Sequence, residues 1–253
     1  ELNPHPDGQL EHNVPMIDGH KLTGMQHKYR ETVLFFPSQG QTCHAYCSFC
    51  FRWPQFVGMD EWKFAMKETE LLVKYLQKHT EVTDLLFTGG DPMIMKNKIF
   101  ATYIDALIEA DIPNLQTIRI GTKALGYWPY KFLTEDDAED TLRTFEKIVK
   151  SGKNLAIMAH FNHPAELSTD AVKQAIAKVR ATGAQIRTQS PLMKNINADA
   201  DIWATMWRQQ VNLNCIPYYM FVARDTGAQH YFKVPLVEAW NIFQKAYQKV
   251  SGV

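Results

Sequence analysis

The sequence predicts an α/β protein built as a partial (β/α)6 barrel of parallel strands. Six β-rich runs alternate with six segments of helical periodicity, and such alternation produces parallel strands joined by right-handed crossovers. The first β run is not followed by the GxGxxG turn of a dinucleotide-binding fold. Six units are fewer than the eight of a closed barrel. We therefore expect an open barrel.

The elements follow from the spacing of apolar residues along the chain. The β-rich runs lie at residues 32–36, 82–88, 117–121, 155–161, 185–189 and 216–222. The helical segments lie at residues 59–79, 98–110, 135–151, 169–182, 200–212 and 237–250. The fourth helix has Ser168 as its predicted N-cap and Gly183 as its stop.

The domain organisation is predicted from the same pattern. Residues 1–30 are rich in Pro, Gly, His and Asn without a sustained period, and we expect an irregular lead-in. Residues 31–253 form the barrel. The sequence has no initiator Met and ends just after a helical pattern, which is compatible with an excerpt of a longer chain.

Composition excludes several classes of function. Of the 253 residues, 45% are apolar and 21% are charged, as in soluble globular proteins. Lys+Arg and Asp+Glu are equal at 27 each, so there is no basic field and we expect no nucleic-acid partner. No apolar run approaches the roughly 18 residues that cross a bilayer, so we expect no membrane partner.

Three of the four cysteines lie in one stretch, with the spacing CxxxCxxC: Cys43, Cys47 and Cys50. Three thiolates at this spacing can bind one iron–sulfur cube, which is usually held by four cysteines. The remaining Cys215 is distant in sequence and is predicted to be a buried apolar residue. A cube with three protein ligands keeps one iron open to a substrate. Closely spaced thiols indicate a reducing compartment, so we expect the cytoplasm.

The cysteine cluster has two other interpretations. Structural zinc takes four ligands, and the only nearby fourth is His44, which directly follows Cys43. A redox dithiol of Cys47 and Cys50 leaves Cys43 unexplained.

Polar residues follow the other β runs, where a parallel barrel carries its chemistry. Gly89, Gly90 and Asp91 follow the second run, and Asp225 follows the sixth. Some candidates have a structural alternative. The Gly-Gly-Asp turn can be an ordinary strand-to-helix connection in which Asp91 caps the next helix. Arg52, two residues after the last clustered cysteine, can be a surface charge in a loop.

The ordered set of motifs resembles the radical S-adenosylmethionine superfamily and, within it, the lysine 2,3-aminomutase family. The matching stretches are residues 47–52 (CSFCFR), 86–92 (LFTGGDP), 118–122 (IRIGT), 160–164 (HFNHP), 189–190 (QS) and 217–219 (PYY). They run in the family's order over most of the chain. The resemblance implies the partial barrel that the periodicity predicts.

The resemblance also implies residue roles. The three clustered cysteines bind a [4Fe–4S] cluster, and S-adenosylmethionine chelates its fourth iron. The pocket for this cosubstrate is lined by residues of the cysteine loop and the strand ends: Phe49, Gly89, Gly90, Asp91, Thr122, His160 and Gln189. Arg52 matches a residue that binds the substrate carboxylate. Asp225 matches an acid that binds a distal amine, but only after a one-residue insertion.

The implied reaction is an amino shift between neighbouring carbons, started by a 5′-deoxyadenosyl radical, on an imine of pyridoxal 5′-phosphate. The family's pyridoxal-binding lysine lies beyond the barrel, in a segment that this sequence does not contain. Expected partners are an amino-acid substrate or a lysine residue of a protein, a one-electron donor such as flavodoxin or ferredoxin, and a second copy in a homo-oligomer. Two alternatives stay open: a radical enzyme without pyridoxal phosphate, and a metal-binding module without turnover.

Overall fold

The computed structural model describes residues 11–53, 65–223 and 228–252. These residues contain nine strands: β1 (Met16–Ile17), β2 (His20–Lys21), β3 (Met25–Tyr29), β4 (Thr32–Phe35), β5 (Asp84–Phe87), β6 (Thr117–Thr122), β7 (Asn154–His160), β8 (Gln185–Leu192) and β9 (Ile216–Val222). Seven of them form the main sheet in the order β3 to β9, and β1 and β2 pair separately.

The same residues contain eight α-helices: α1 (Thr69–Lys78), α2 (Asn97–Glu109), α3 (Ala124–Tyr127), α4 (Ala138–Lys150), α5 (Asp170–Ala181), α6 (Ala200–Asn212), α7 (Gln229–Phe232) and α8 (Leu236–Tyr247). Helices α1 to α6 lie between successive parallel strands, and α7 and α8 follow the last strand. Within the described ranges, no helix has the length and apolar character needed to span a membrane.

The alternation of side chains along each strand places the core between the sheet and the helices. On β6, Ile118 and Ile120 are fully buried, whereas Arg119 and Gly121 lie on the opposite face. Thr188 of β8 faces the helices as well, because its hydroxyl donates to Gln210 of α6 at 2.8 Å. The face opposite the helices is therefore the inner face of the curved sheet, which we call the lumen.

The predicted architecture is confirmed. The strands β4 to β9 are parallel throughout. Among the described residues, β3 and β9 are the two ends of the strand order and do not pair, so the barrel is open. It is a half-barrel of α/β type.

The structure differs from the prediction in three places. The described part of the lead-in is not irregular throughout, because β3 pairs with β4 antiparallel and extends the sheet by one strand. The first helix begins at Thr69 and not at residue 59. Residues 59–64 of the predicted helix lie outside the described residues. Thr169 rather than Ser168 caps α5, since the Thr169 hydroxyl accepts the Val172 N–H at 3.3 Å.

Candidate functional site

The cysteine loop follows β4 directly, at the carboxyl end of the first parallel strand. Cys43, Cys47 and Cys50 are free, partly exposed thiols. Burial raises the pKa of Cys47 to about 12 and that of Cys50 to about 11, and neighbouring cysteines add to both shifts. A thiol must lose its proton to bind a metal. The pKa of Cys43 is raised by burial as well. Each of the three thiols therefore keeps its proton until a metal centre displaces that proton.

In the part of the chain that the structure describes, no group of three or more His, Cys, Asp or Glu side chains is placed so that it could hold a metal ion. Thiolate sulfur is the ligand that iron–sulfur clusters use, and this loop carries three free cysteines. The donor set, by its chemistry, fits the cube that the sequence motif implies.

The glycine pair after β5 packs against the start of the cysteine loop. A Cβ on Gly90 would lie 2.1 Å from the carbonyl oxygen of Thr42, and a Cβ on Gly89 would lie 2.2 Å from Gln41 Nε2. The next residue, Asp91, donates its N–H to the same Thr42 oxygen at 2.9 Å. The absence of a Cβ at these two glycines therefore lets the cysteine loop approach the turn after β5 closely.

Gln41 contributes an unsatisfied polar atom at this contact. Its Nε2 donates to the Pro37 carbonyl at 2.9 Å, which orients the amide. Its Oε1 is buried and accepts no hydrogen bond within the described ranges. A buried acceptor without a donor costs free energy, and an amine of a bound cosubstrate is one group that could supply the donor. The site therefore fits S-adenosylmethionine as well as the cluster.

Asp91 is the central carboxylate of the site. It is 2% exposed. Its oxygens accept hydrogen bonds from the Met93 N–H at 2.9 Å, the Thr122 hydroxyl at 2.7 and 2.9 Å and the Lys123 N–H at 2.8 Å. His44 Nε2 lies 3.4 Å from Asp91 Oδ2. Burial raises the pKa of this carboxyl, and the hydrogen bonds act against that rise.

Phe49 of the cysteine loop lies beside His160 at the end of β7, and His160 is paired with Gln189 of β8. The rings of Phe49 and His160 lie 5.7 Å apart. Burial lowers the pKa of His160 to about 3, and Lys123 contributes to the shift. The imidazole is therefore neutral at neutral pH. His160 Nε2 lies 2.7 Å from Asn162 Oδ1 and donates to that acceptor.

Arg52 follows the last cysteine of the motif. Its guanidinium lies 4.6 Å from the centre of the Phe36 ring and 5.1 Å from that of Phe51, and it donates to Gln26 Oε1 at 3.4 Å. Burial lowers the pKa of Arg52 to about 10. Asp225, the other residue predicted to contact substrate, lies outside the described residues.

Sequence reasoning missed Lys123, which is 5% exposed. Its ammonium lies 3.5 Å from Glu166 Oε2, and 4.1 Å from the centre of the Tyr127 ring. Its charge lowers the pKa of the Cys47 thiol, against the larger effect of burial. The feature of the sequence that could have identified Lys123 was its position directly after Thr122, at the end of β6.

A parallel half-barrel with a CxxxCxxC loop after its first parallel strand has the architecture of the radical S-adenosylmethionine proteins. Two solved structures resemble it in fold. Native anSMEcpe with bound AdoMet has a TM-score of 0.56 at 11% identity, covering 86% of this chain and 59% of that one. Methylornithine synthase has a TM-score of 0.53 at 13% identity, covering 87% and 63%. No family model matches the chain.

Relatives in sequence indicate a family within this superfamily. A putative L-lysine 2,3-aminomutase of Aquifex aeolicus is 33% identical over 233 residues, which is 92% of this chain and 60% of the relative. The L-lysine 2,3-aminomutase of Haemophilus influenzae is 29% identical over 89% of this chain and 62% of the relative. The glutamate 2,3-aminomutase of Clostridioides difficile is 24% identical over 83% of this chain and 47% of the relative.

These comparisons support the resemblance to the radical S-adenosylmethionine superfamily and, within it, to the lysine 2,3-aminomutases. The chain spans about 60% of the length of the first two of these relatives.

Proposed function

We propose that the chain is the barrel of a radical S-adenosylmethionine enzyme of the aminomutase type, which acts on an amino acid. The observation that carries the proposal is the contact between the cysteine loop and the turn after β5. Thr42, one residue before Cys43, accepts the Asp91 N–H and packs against Gly90. This contact holds three thiols beside the strand ends where a parallel barrel carries its chemistry.

When bound, the [4Fe–4S] cluster and S-adenosylmethionine supply a 5′-deoxyadenosyl radical. The residues of this chain bind and orient. Arg52 binds the substrate carboxylate through its planar guanidinium. His160 stays neutral and donates to Asn162. Burial lowers the pKa of Lys123, and Lys123 in turn lowers the pKa of the Cys47 thiol. Asp91 ties the ends of β5 and β6 together, which sets the distance between the cysteine loop and the rest of the pocket.

Anaerobic reconstitution of the full-length gene product with iron and sulfide tests the proposal. We expect a brown protein that dithionite bleaches and that forms 5′-deoxyadenosine from S-adenosylmethionine. Cys43→Ala, Cys47→Ala and Cys50→Ala each remove iron binding and cleavage together. Cys215→Ala is the matched control, because Cys215 is 3% exposed and belongs to the apolar core. A colourless protein that retains zinc would instead support a metal-binding module.

The use of pyridoxal 5′-phosphate in a 1,2-amino shift is a finer part of the proposal. Its support is the names of the relatives, which are lysine and glutamate 2,3-aminomutases. Borohydride trapping of a lysine–cofactor adduct on the full-length gene product tests it. A product that forms 5′-deoxyadenosine but yields no adduct would favour a radical enzyme without pyridoxal phosphate.

The proposal also includes cellular context. We propose a one-electron donor of the flavodoxin or ferredoxin type, a homo-oligomer and a cytoplasmic location. The four free cysteines support a reducing compartment. Co-purification of a reduced donor that bleaches the cluster, and the mass of the assembled protein by light scattering, check the first two.

A further inference from the structure

Arg187 lies on the lumen side of β8, two residues before Gln189. Thr188 faces α6 through its hydrogen bond to Gln210, so Arg187 and Gln189 face the other way. Two residues along a strand correspond to roughly 7 Å. Arg187 therefore lies one layer deeper in the lumen than Gln189, toward the amino end of the strands.

The guanidinium of Arg187 is incompletely satisfied. Its Nη2 donates to Gln185 Oε1 at 3.2 Å, and its Cζ lies 5.3 Å from the centre of the Tyr218 ring. Its Nε is buried and has no hydrogen-bond partner among the described residues. No carboxylate within those ranges forms an ion pair with it. A planar guanidinium with an unused N–H is suited to a carboxylate.

The other charges on the parallel strands are balanced. Strands β4 to β9 carry three formally charged side chains: Asp84, Arg119 and Arg187. Arg119 Nε donates to Asp84 Oδ1 at 2.9 Å, and its Nη2 donates to Asp84 Oδ2. Asp84 is thereby neutralised. Strands β4 to β9 are left with one unbalanced charge, that of Arg187, and with no unpaired carboxylate to receive an ammonium group.

The surroundings of Arg187 add a hydrogen-bond donor. Register pairs Arg187 with Met158, and Met158 with Gly121, so the side chains next to it across the sheet are uncharged. Tyr218 and Tyr219 are partly exposed, and the Tyr219 hydroxyl donates to the Tyr218 hydroxyl at 3.1 Å. The Tyr218 O–H is therefore left to donate to an anion.

We propose that Arg187, with the hydroxyl of Tyr218, binds an anionic group on the side chain of the substrate. The substrate class is then an amino acid with an acidic side chain, whose α-carboxylate goes to Arg52. This inference rests on the proposed function and specifies its substrate. Asp225, outside the described residues, is the acid that would favour a basic side chain instead.

The test uses the full-length, iron-loaded gene product with S-adenosylmethionine under anaerobic conditions. Calorimetry measures the binding of L-glutamate, L-lysine and L-norvaline, which carry an acidic, a basic and an uncharged side chain. We expect glutamate to bind at least about tenfold tighter than norvaline, since a charge-assisted bond to a guanidinium is worth that factor or more. Equal binding of glutamate and norvaline, or tighter binding of lysine, overturns the inference.

Substitutions of Arg187 test whether this residue causes the difference in affinity between glutamate and norvaline. Arg187→Met should reduce glutamate affinity by about tenfold or more and leave norvaline affinity unchanged, and Arg187→Lys should restore part of the difference. Arg143→Met is the matched control, because Arg143 is exposed on α4 and pairs with Asp140. A uniform loss for all three amino acids would place the α-carboxylate at Arg187 and overturn the assignment.

The two proposals fail in different ways. A protein that binds no cluster, or that forms no 5′-deoxyadenosine, contradicts the proposed function. A protein that forms 5′-deoxyadenosine but binds lysine more tightly than glutamate contradicts only the inference about Arg187.

Discussion

Asp91 Oδ2 accepts the backbone N–H of Lys123 at 2.8 Å, so the turn after β5 is bonded to the residue that follows β6. The same carboxylate accepts the Thr122 hydroxyl. Two strand ends and the cysteine loop, through the Asp91 N–H and Thr42, are therefore held by one buried residue. This arrangement makes the geometry of the site sensitive to small changes around Asp91.

Gly90→Ala should destabilise the protein and displace the cysteine loop. The new Cβ would lie 2.1 Å from a backbone oxygen, and a backbone atom cannot rotate away as a side chain can. We expect the free energy of unfolding to fall by about 1–3 kcal/mol and the iron content after reconstitution to fall with it. Urea denaturation and iron analysis measure the two effects.

Gly121→Ala is the control for that variant, since its Cβ would meet only ordinary contacts at 3.6 Å and beyond. An alanine at position 90 that left both stability and iron content at the wild-type level would show that the contact with Thr42 does not constrain the loop.

Thr122→Val should remove one hydrogen bond to Asp91 and leave a buried carboxylate oxygen less satisfied. The valine also cannot accept the Ala124 N–H, which the Thr122 hydroxyl accepts at 2.9 Å. We expect a loss of about 1–3 kcal/mol in the free energy of unfolding, measured by urea denaturation without cofactors. Thr122→Ser keeps the hydroxyl and should recover most of the loss. Similar values for the Val and Ser variants would contradict this role.

His160→Gln should make stability less dependent on pH under acid conditions. The folded-state pKa of His160 is lowered from 6.5 to about 3, so between these values the unfolded state binds a proton that the folded state does not. Stability from this group is therefore lost as pH falls from 6.5 toward 3. The melting temperature of the variant should fall less over this range than that of the wild type.

His20→Gln serves as the comparison, because His20 is exposed on β2. If both variants follow the wild-type pH profile, burial of the His160 imidazole does not influence stability.

Arg52→Ala should impair substrate turnover but not the cleavage of S-adenosylmethionine. The guanidinium packs over Phe36 beside the last cysteine, where we propose that it binds the substrate carboxylate. Uncoupled cleavage of S-adenosylmethionine should stay near the wild-type rate, and substrate turnover should fall by about tenfold or more. Product analysis by mass spectrometry measures both. Loss of both activities together would show that Arg52 supports the cluster and not the substrate.

The half-barrel was predictable from the sequence. β-rich runs that alternate with segments of helical spacing identified β4 to β9 and the helices between them. Strand β3 was missed, since Met25–Tyr29 has one buried end and two exposed residues at the other. Its pairing with β4 depends on a neighbour in space and not on a pattern of its own.

The sequence by itself determined the kind of protein: three thiols in one loop, followed by strand ends with polar residues in a set order. It could not determine which of those polar groups are already satisfied. Only the tertiary structure decided that Asp91 bonds to Thr122 and Lys123, and that Asp84 neutralises Arg119 while Arg187 has no such partner in the described chain. The reason is physical, since hydrogen bonds and ion pairs form between residues that the chain brings together from 30 or more positions apart.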